Sequence, residues 1–102
     1  MPQSRAERKF RRRIDEAAQL FGAGDVDGAK KSLETLLAKS PTNFRHEVHH
    51  HLASIARKLG DVVSAIAHLG RAAKLQPNDP ETWLKLGIVN LEAQSVEAST
   101  YA

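Results

Sequence analysis

Histidine residues are concentrated in one short segment of this sequence. Four of the five histidines lie between His46 and His51, where the sequence reads H-E-V-H-H-H. The run from His46 to His50 matches H-E-x-x-H, in which two histidines one helical turn apart bind zinc and the glutamate is a general base. A catalytic zinc site also needs a third protein ligand, and the remaining histidine, His68, lies on a different predicted helix.

This match is short and arises easily where histidines are dense, so a zinc metallopeptidase is only a remote alternative. We expect metal binding by His46, His49 and His50 to be adventitious at most, and we predict no metal or other cofactor. The sequence has no nucleophile motif, and Gly22-Ala23-Gly24 lacks the spacing of a phosphate-binding loop. We therefore predict that the protein is not an enzyme.

Basic residues are concentrated at the other notable segment, the first predicted helix. Six Lys and Arg residues among the first thirteen oppose only Glu7, which gives this segment about five positive charges. Arg5, Arg8, Lys9 and Arg12 share one helical face and form a basic patch. Such a patch can bind phosphates, so a nucleic-acid-associated or regulatory factor is the alternative function. No aromatic side chain shares this face for base stacking, which favours a solubilising end of a helical stack.

The chain has no cysteine, which fits a reducing compartment. It has no apolar run long enough to span a bilayer. Asp15 and Glu16 interrupt the stretch after the basic residues, so no signal peptide is predicted. These features predict a cytoplasmic protein that does not bind a membrane.

An internal repeat organises the rest of the sequence. Gly24-Asp25-Val26 recurs as Gly60-Asp61-Val62, and the same offset of 36 relates Ala29 to Ala65, Leu33 to Leu69 and Pro41 to Pro77. Beyond Pro77 the offset falls to 34, which relates His49 to Trp83 and Leu52 to Leu86. We attribute the difference to two extra residues in a surface loop within residues 42–45, where an insertion costs little.

Helical periodicity with capping and stop signals predicts five helices. A capping box beginning at Ser4 starts the first helix, glycines end it, and aspartates cap the second, fourth and fifth helices. The predicted helices cover about residues 4–21, 25–39, 44–59, 61–75 and 79–93, and residues 94–102 form a tail or a short capping helix. The predicted fold class is all-α.

The repeat also carries a pattern of small and large apolar residues. The pattern W-x2-L-G, A-x3-F and P is matched in whole or in part by Trp83, Leu86, Gly87, Ala65, Leu69 and Pro77. Over roughly residues 8–93 the chain therefore resembles the tetratricopeptide repeat family. The resemblance implies one domain over residues 1–102, in which antiparallel helix-turn-helix repeats stack as a short right-handed α-solenoid. Its units are repeat 1 (4–41), repeat 2 (46–79) and the first helix of a partial repeat 3 (80–93).

The resemblance implies a function as well, because such repeats bind other proteins in a concave groove lined by the first helix of each repeat. The groove positions correspond here to Glu47, His50, Ser54, Arg57, Lys58, Glu81, Leu84, Ile88 and Leu91. We predict a protein–protein interaction module, a scaffold, adaptor or co-chaperone-like protein, that binds a peptide or helix of another protein. Arg57 and Lys58 predict a cationic centre suited to an acidic group of that peptide.

The fifth predicted helix is apolar around most of its circumference, which predicts burial on several sides. Trp83, Leu86 and Val89 are therefore expected to form a face for a partner or for a second copy of the chain. Two and a half repeats are fewer than the three that stability generally requires. This is expected either for a protein that self-associates, for example as a symmetric homodimer, or for a fragment of a longer repeat protein.

Overall fold

The computed structural model describes the backbone of residues 5–39 and 42–101 and the side chains of residues 5–39 and 44–94. Within these ranges the chain forms helices and no strand. The helices are α1 (Arg5–Gly22), α2 (Val26–Lys39), α3 (Thr42–Lys58), α4 (Val62–Leu75) and α5 (Pro80–Tyr101). Consecutive helices pack against each other, so the predicted all-α helical repeat is confirmed. Among the described residues, none of the helices combines the length and the apolar composition that a membrane span requires.

The same glycine–aspartate turn joins the two helices of each repeat. Gly24 and Gly60 have positive φ angles of 95° and 79°, a conformation that residues with a Cβ rarely adopt. Asp25 and Asp61 then cap the following helices, because their Oδ1 atoms accept hydrogen bonds from the amide three residues later, at 3.0 Å and 3.1 Å. The repeated sequence therefore produces one turn geometry twice.

Two hydrophobic clusters hold the helices together, and α3 contributes to both. The first cluster contains Ile14, Ala17, Ala29, Leu33, Leu36, Phe44, Val48, Leu52 and Ile55. The second contains Ala53, Ala56, Ala65, Leu69 and Val89. Small residues dominate the second cluster, which lets α4 approach α3 and α5 closely. Ala65 and Ala72 are fully buried, as stacking through small residues requires.

Two predicted boundaries are wrong. α3 begins at Thr42, so the two extra residues lengthen this helix and do not form a loop. Phe44 explains the early start, because it is buried against Phe10 and anchors the first turn of α3 in the core. α5 continues to Tyr101, so residues 94–101 are neither a tail nor a separate capping helix; no glycine or proline follows Gly87 to end it. The predicted capping box begins at Ser4, which lies outside the described residues.

Candidate functional site

Charged side chains link the first helices of successive repeats. Arg11 Nη1 on α1 lies 2.6 Å from Glu47 Oε1 on α3, and Arg57 Nη2 on α3 lies 2.5 Å from Glu92 Oε1 on α5. The partners are 36 and 35 residues apart, which is about one repeat. The three helices therefore lie side by side, and we call the surface formed by α1, α3 and α5 the first-helix face.

An open pocket of about 450 Å³ lies on this face between α3 and α5. It is lined by His46, Glu47, His50, His51, Ser54, Gln76, Asp79, Glu81 and Lys85, so four of the predicted groove residues meet there. Three carboxylates in this lining face one ammonium group, that of Lys85. Arg57 is paired with Glu92 and Lys58 is exposed at the end of α3, so the expected cationic centre stays a prediction and depends on Lys58.

Two histidines, an aspartate and a threonine converge beside this pocket, and we call His46, His50, Asp79 and Thr82 the His–Asp–Thr cluster. Nε2 of His46 lies 3.1 Å from Asp79 Oδ2, and Nε2 of His50 lies 3.8 Å from the same oxygen. The fully buried Thr82 hydroxyl donates to Asp79 Oδ2 at 2.9 Å. Its oxygen also lies 2.7 Å from Nε2 of His50 and 3.2 Å from Nε2 of His46.

Helix capping positions the acidic side of this cluster. Asp79 precedes α5, and its Oδ1 accepts a hydrogen bond from the amide two residues later at 3.1 Å, while Oδ2 accepts from Thr82. Pro80 occupies the first helical position, where no amide proton is needed. The hydrogen bond from Thr82 lowers the pKa of Asp79. Burial, and then a nearby ammonium group, lowers the pKa of His50, so a carboxylate faces an uncharged imidazole at neutral pH.

His49 takes no part in the cluster, because it faces α4. Its Nδ1 lies 3.1 Å from Nδ1 of His68, and the two ring centroids are 5.3 Å apart. Burial lowers the pKa of His49 to about 4 and also lowers that of His68, so both rings are uncharged at neutral pH. The grouping of His46, His49 and His50 is therefore corrected: Asp79, rather than His49 or His68, lies beside His46 and His50.

The apolar circumference of α5 divides into a buried and an exposed side. Val89 is fully buried in the second cluster, and Leu86 packs partly buried against it. A partner face made of Trp83, Leu86 and Val89 is therefore wrong. Trp83 is 53% exposed, and its Nε1 donates to a main-chain carbonyl oxygen in the preceding turn at 2.7 Å.

A row of exposed apolar residues runs along the outer side of α5. Leu84, Ile88 and Leu91 are 65%, 41% and 65% exposed, and their three- and four-residue spacing places them on one side of the helix. We call them the α5 apolar stripe. They lie beside the positions of Lys85 and Glu92, whose side chains reach α3, so the stripe borders the first-helix face.

The remaining predicted site residues lie at the surface. Lys58 is exposed at the end of α3, and Ser54 donates to the His50 carbonyl oxygen at 3.2 Å. The predicted basic patch is exposed on α1 at all four of its members: Arg5, Arg8, Lys9 and Arg12. The neighbouring Arg11 lies elsewhere on α1, 5.7 Å from the centre of the Phe44 ring.

Sequence reasoning misses Asp79 and Thr82 as neighbours of the histidines. A signal was present, because Thr82 follows His46 by 36 residues and His50 by 32, close to the repeat length. This spacing is weak evidence by itself. Asp79, which directly precedes Pro80, is equally well explained as an ordinary helix cap.

Among protein-family models, one described as Tetratricopeptide repeat matches residues 20–86. The match covers well over half of the 102-residue chain and includes all of α2, α3 and α4. No curated protein and no solved structure matches the sequence.

Proposed function

Because the chain belongs to the tetratricopeptide repeat family, we propose that it is a scaffold or adaptor module that binds a segment of another protein along the first-helix face. Repeats of this family generally mediate protein–protein interaction and are typically not enzymes. The observation that carries the proposal is the α5 apolar stripe, which borders this face and is exposed to solvent.

The stripe favours binding because its exposure is costly in water. Complete burial of a leucine or isoleucine side chain stabilises by about 1.5–3 kcal/mol relative to full exposure. Leu84 and Leu91 are about two thirds exposed, so covering each one gains roughly half to two thirds of that amount. A contiguous exposed row is typical of a surface that another protein covers.

The partner segment is expected to be amphipathic. An apolar side chain at every third or fourth position of a partner helix matches the spacing of Leu84, Ile88 and Leu91. An acidic anchor is not required, because Arg57 is already paired with Glu92. We therefore expect the choice of partner segment to depend mainly on apolar contacts with the α5 apolar stripe and less on the polar residues around it.

The decisive experiment compares two charged variants at exposed positions. Leu84→Asp combined with Ile88→Asp disrupts the stripe, while Val63→Asp changes an 80% exposed residue on α4. Affinity purification with quantitative mass spectrometry identifies proteins bound by the wild type, and each is then tested as a purified protein. We expect binding to survive Val63→Asp and to weaken at least about tenfold in the double variant, as removal of interface anchors does.

If both variants bind the partner protein equally well, the proposal is wrong. Circular dichroism checks that both variants keep the helical content of the wild type. Self-association through the same stripe is the alternative, and sedimentation distinguishes it: a wild-type dimer that becomes a monomer in the double variant identifies a second copy as the occupant. The cytoplasmic location stays a prediction.

The zinc metallopeptidase is disfavoured by the position of its general base. Catalysis requires the glutamate of H-E-x-x-H to activate a metal-bound water. Glu47 Oε1 instead accepts a hydrogen bond from Arg11 at 2.6 Å, which directs this carboxylate towards α1.

A further inference from the structure

The His–Asp–Thr cluster offers a donor set of a recognisable kind. Two imidazole nitrogens and one carboxylate oxygen suit zinc and neighbouring divalent transition metals, whereas magnesium and calcium prefer oxygen ligands. His46 and His50 are one helical turn apart, so their side chains reach the same side of α3. Ligand atoms of His46, His50 and Asp79 all lie within 4.8 Å of one another.

We propose that His46, His50 and Asp79 bind one divalent transition-metal ion, with zinc as the best-fitting ion, and that this ion fastens the start of α5 to α3. Two ligands come from α3 and one from the residue that caps α5. The ion therefore joins α3 to the residue that directly precedes α5. This site is separate from the proposed interaction function, since it needs no partner protein.

The distances are close to those of a tetrahedral zinc site. With bonds of about 2.0–2.2 Å, ligand atoms around tetrahedral zinc lie roughly 3.3–3.5 Å apart. The distance from Asp79 Oδ2 to His46 Nε2 is 3.1 Å, slightly short, and that to His50 Nε2 is 3.8 Å, slightly long. Movements of a few tenths of an ångström, within the freedom of these side chains, bring both to the required separation.

Thr82 completes the arrangement. Its Oγ1 lies 2.7 Å, 2.9 Å and 3.2 Å from His50 Nε2, Asp79 Oδ2 and His46 Nε2, so one hydroxyl contacts all three proposed ligands. Because the hydroxyl is buried and donates to Asp79 Oδ2, it orients this carboxylate towards the two imidazoles. Thr82 is therefore a positioning residue, and the open pocket admits water to the ion.

Glu47 and Glu81 line the same pocket, but they are paired with Arg11 at 2.6 Å and with Lys85 at 3.1 Å. The carboxylate of Asp79 is therefore the charge that favours a cation at the cluster. Lys85 opposes this, because its Nζ lies 3.4 Å from His50 Nδ1, where an imidazole bound to metal through Nε2 carries a proton. Lys85 is partly exposed and already pairs with Glu81 Oε1 at 3.1 Å, so it can turn away from His50.

The test uses the full chain without a polyhistidine tag. Isothermal titration with zinc chloride measures affinity and stoichiometry, and visible absorption of the cobalt(II) complex reports tetrahedral coordination. We expect one ion per chain, and an affinity at least about tenfold weaker in His50→Ala and in Asp79→Asn. Asparagine keeps the side-chain oxygen that caps α5, so this variant separates ligation from folding.

His51→Ala is the matched control, because His51 belongs to the same histidine run but lies outside the three-ligand group. Its affinity for zinc should equal that of the wild type. Zinc should also raise the melting temperature of the wild type and of His51→Ala, but not of His50→Ala. The proposal is overturned if the wild type binds no zinc, or if His51→Ala loses as much affinity as His50→Ala.

Discussion

Replacing Thr82 by valine tests how strongly the His–Asp–Thr cluster holds α5 to α3. Valine has nearly the same shape as threonine, so the substitution removes the hydroxyl and leaves the volume filled. Thr82 is fully buried. Its hydroxyl donates to Asp79 at 2.9 Å and lies 2.7 Å from His50 Nε2, so valine removes the shortest polar contact of both side chains, together with a 3.2 Å contact of His46.

The expected loss in the free energy of unfolding depends on which groups lose a hydrogen-bond partner. A hydrogen bond to a charged group contributes about 1.5–3 kcal/mol, and a neutral one about 0.5–1.5 kcal/mol. Asp79 keeps its hydrogen bond from the Glu81 amide, and water in the open pocket can reach His50, so both losses are reduced. We expect Thr82→Val to lower the free energy of unfolding by about 2 kcal/mol, or the melting temperature by roughly 8–16 °C for a domain of this size.

Thr35→Val is the matched control. Thr35 lies on α2, and its exposed hydroxyl donates to the Lys31 carbonyl oxygen at 3.0 Å, a bond that water readily replaces. The free energy of unfolding of Thr35→Val should stay within about 0.5 kcal/mol of that of the wild type. Urea titration followed by circular dichroism measures both variants, with EDTA present so that bound metal does not contribute. If Thr82→Val and Thr35→Val have the same midpoint, the cluster does not stabilise the docking of α5.

Three further predictions concern other parts of the chain. Asp61→Ala removes the α4 cap and should lower the free energy of unfolding by about 1 kcal/mol; an unchanged urea midpoint contradicts this. Because the folded pKa of His49 is lowered to about 4, the unfolded chain binds more protons below pH 6.5, so stability falls as the pH drops towards 4. Between pH 7 and 5 the wild type should lose about 1–2 kcal/mol through this residue, and His49→Gln should lose less; equal losses in a urea titration with EDTA contradict this. Binding of duplex DNA by the basic patch should be weak and should vanish at about 200 mM salt; affinity that persists there and is lost in Arg8→Ala with Arg12→Ala favours the nucleic-acid alternative.

Local signals explain why most of the fold could be predicted. Gly24 and Gly60 need a positive φ whatever surrounds them, and Asp25 and Asp61 cap helices through atoms only a few residues away. A signal that is complete within four residues is visible in the sequence. The start of α3 was missed because burial of Phe44 against Phe10 is a contact across two helices, and it overrides the weak helix-breaking tendency of nearby residues.

The faces of α5 could not be predicted for a related reason. A helix that is apolar all round gives no periodic signal for the side that faces the core. Val89 and Leu91 are both apolar, yet one is fully buried and the other is 65% exposed. Only the position of α4 and α3 decides between them, and that position results from packing.

The His–Asp–Thr cluster shows how such packing creates a site from residues that each have a local explanation. Asp79 caps a helix, and His46 and His50 belong to a polar segment; neither fact requires the other. Successive repeats stack so that residues about one repeat length apart in the sequence become neighbours. His46 and Thr82, which are 36 residues apart, are within hydrogen-bonding distance for this reason. In a repeat protein, polar residues one repeat apart on successive first helices are therefore candidates for a shared site, even when no continuous motif joins them. Thr82→Val and Asp79→Asn test this relation separately, the first by stability without metal and the second by metal affinity.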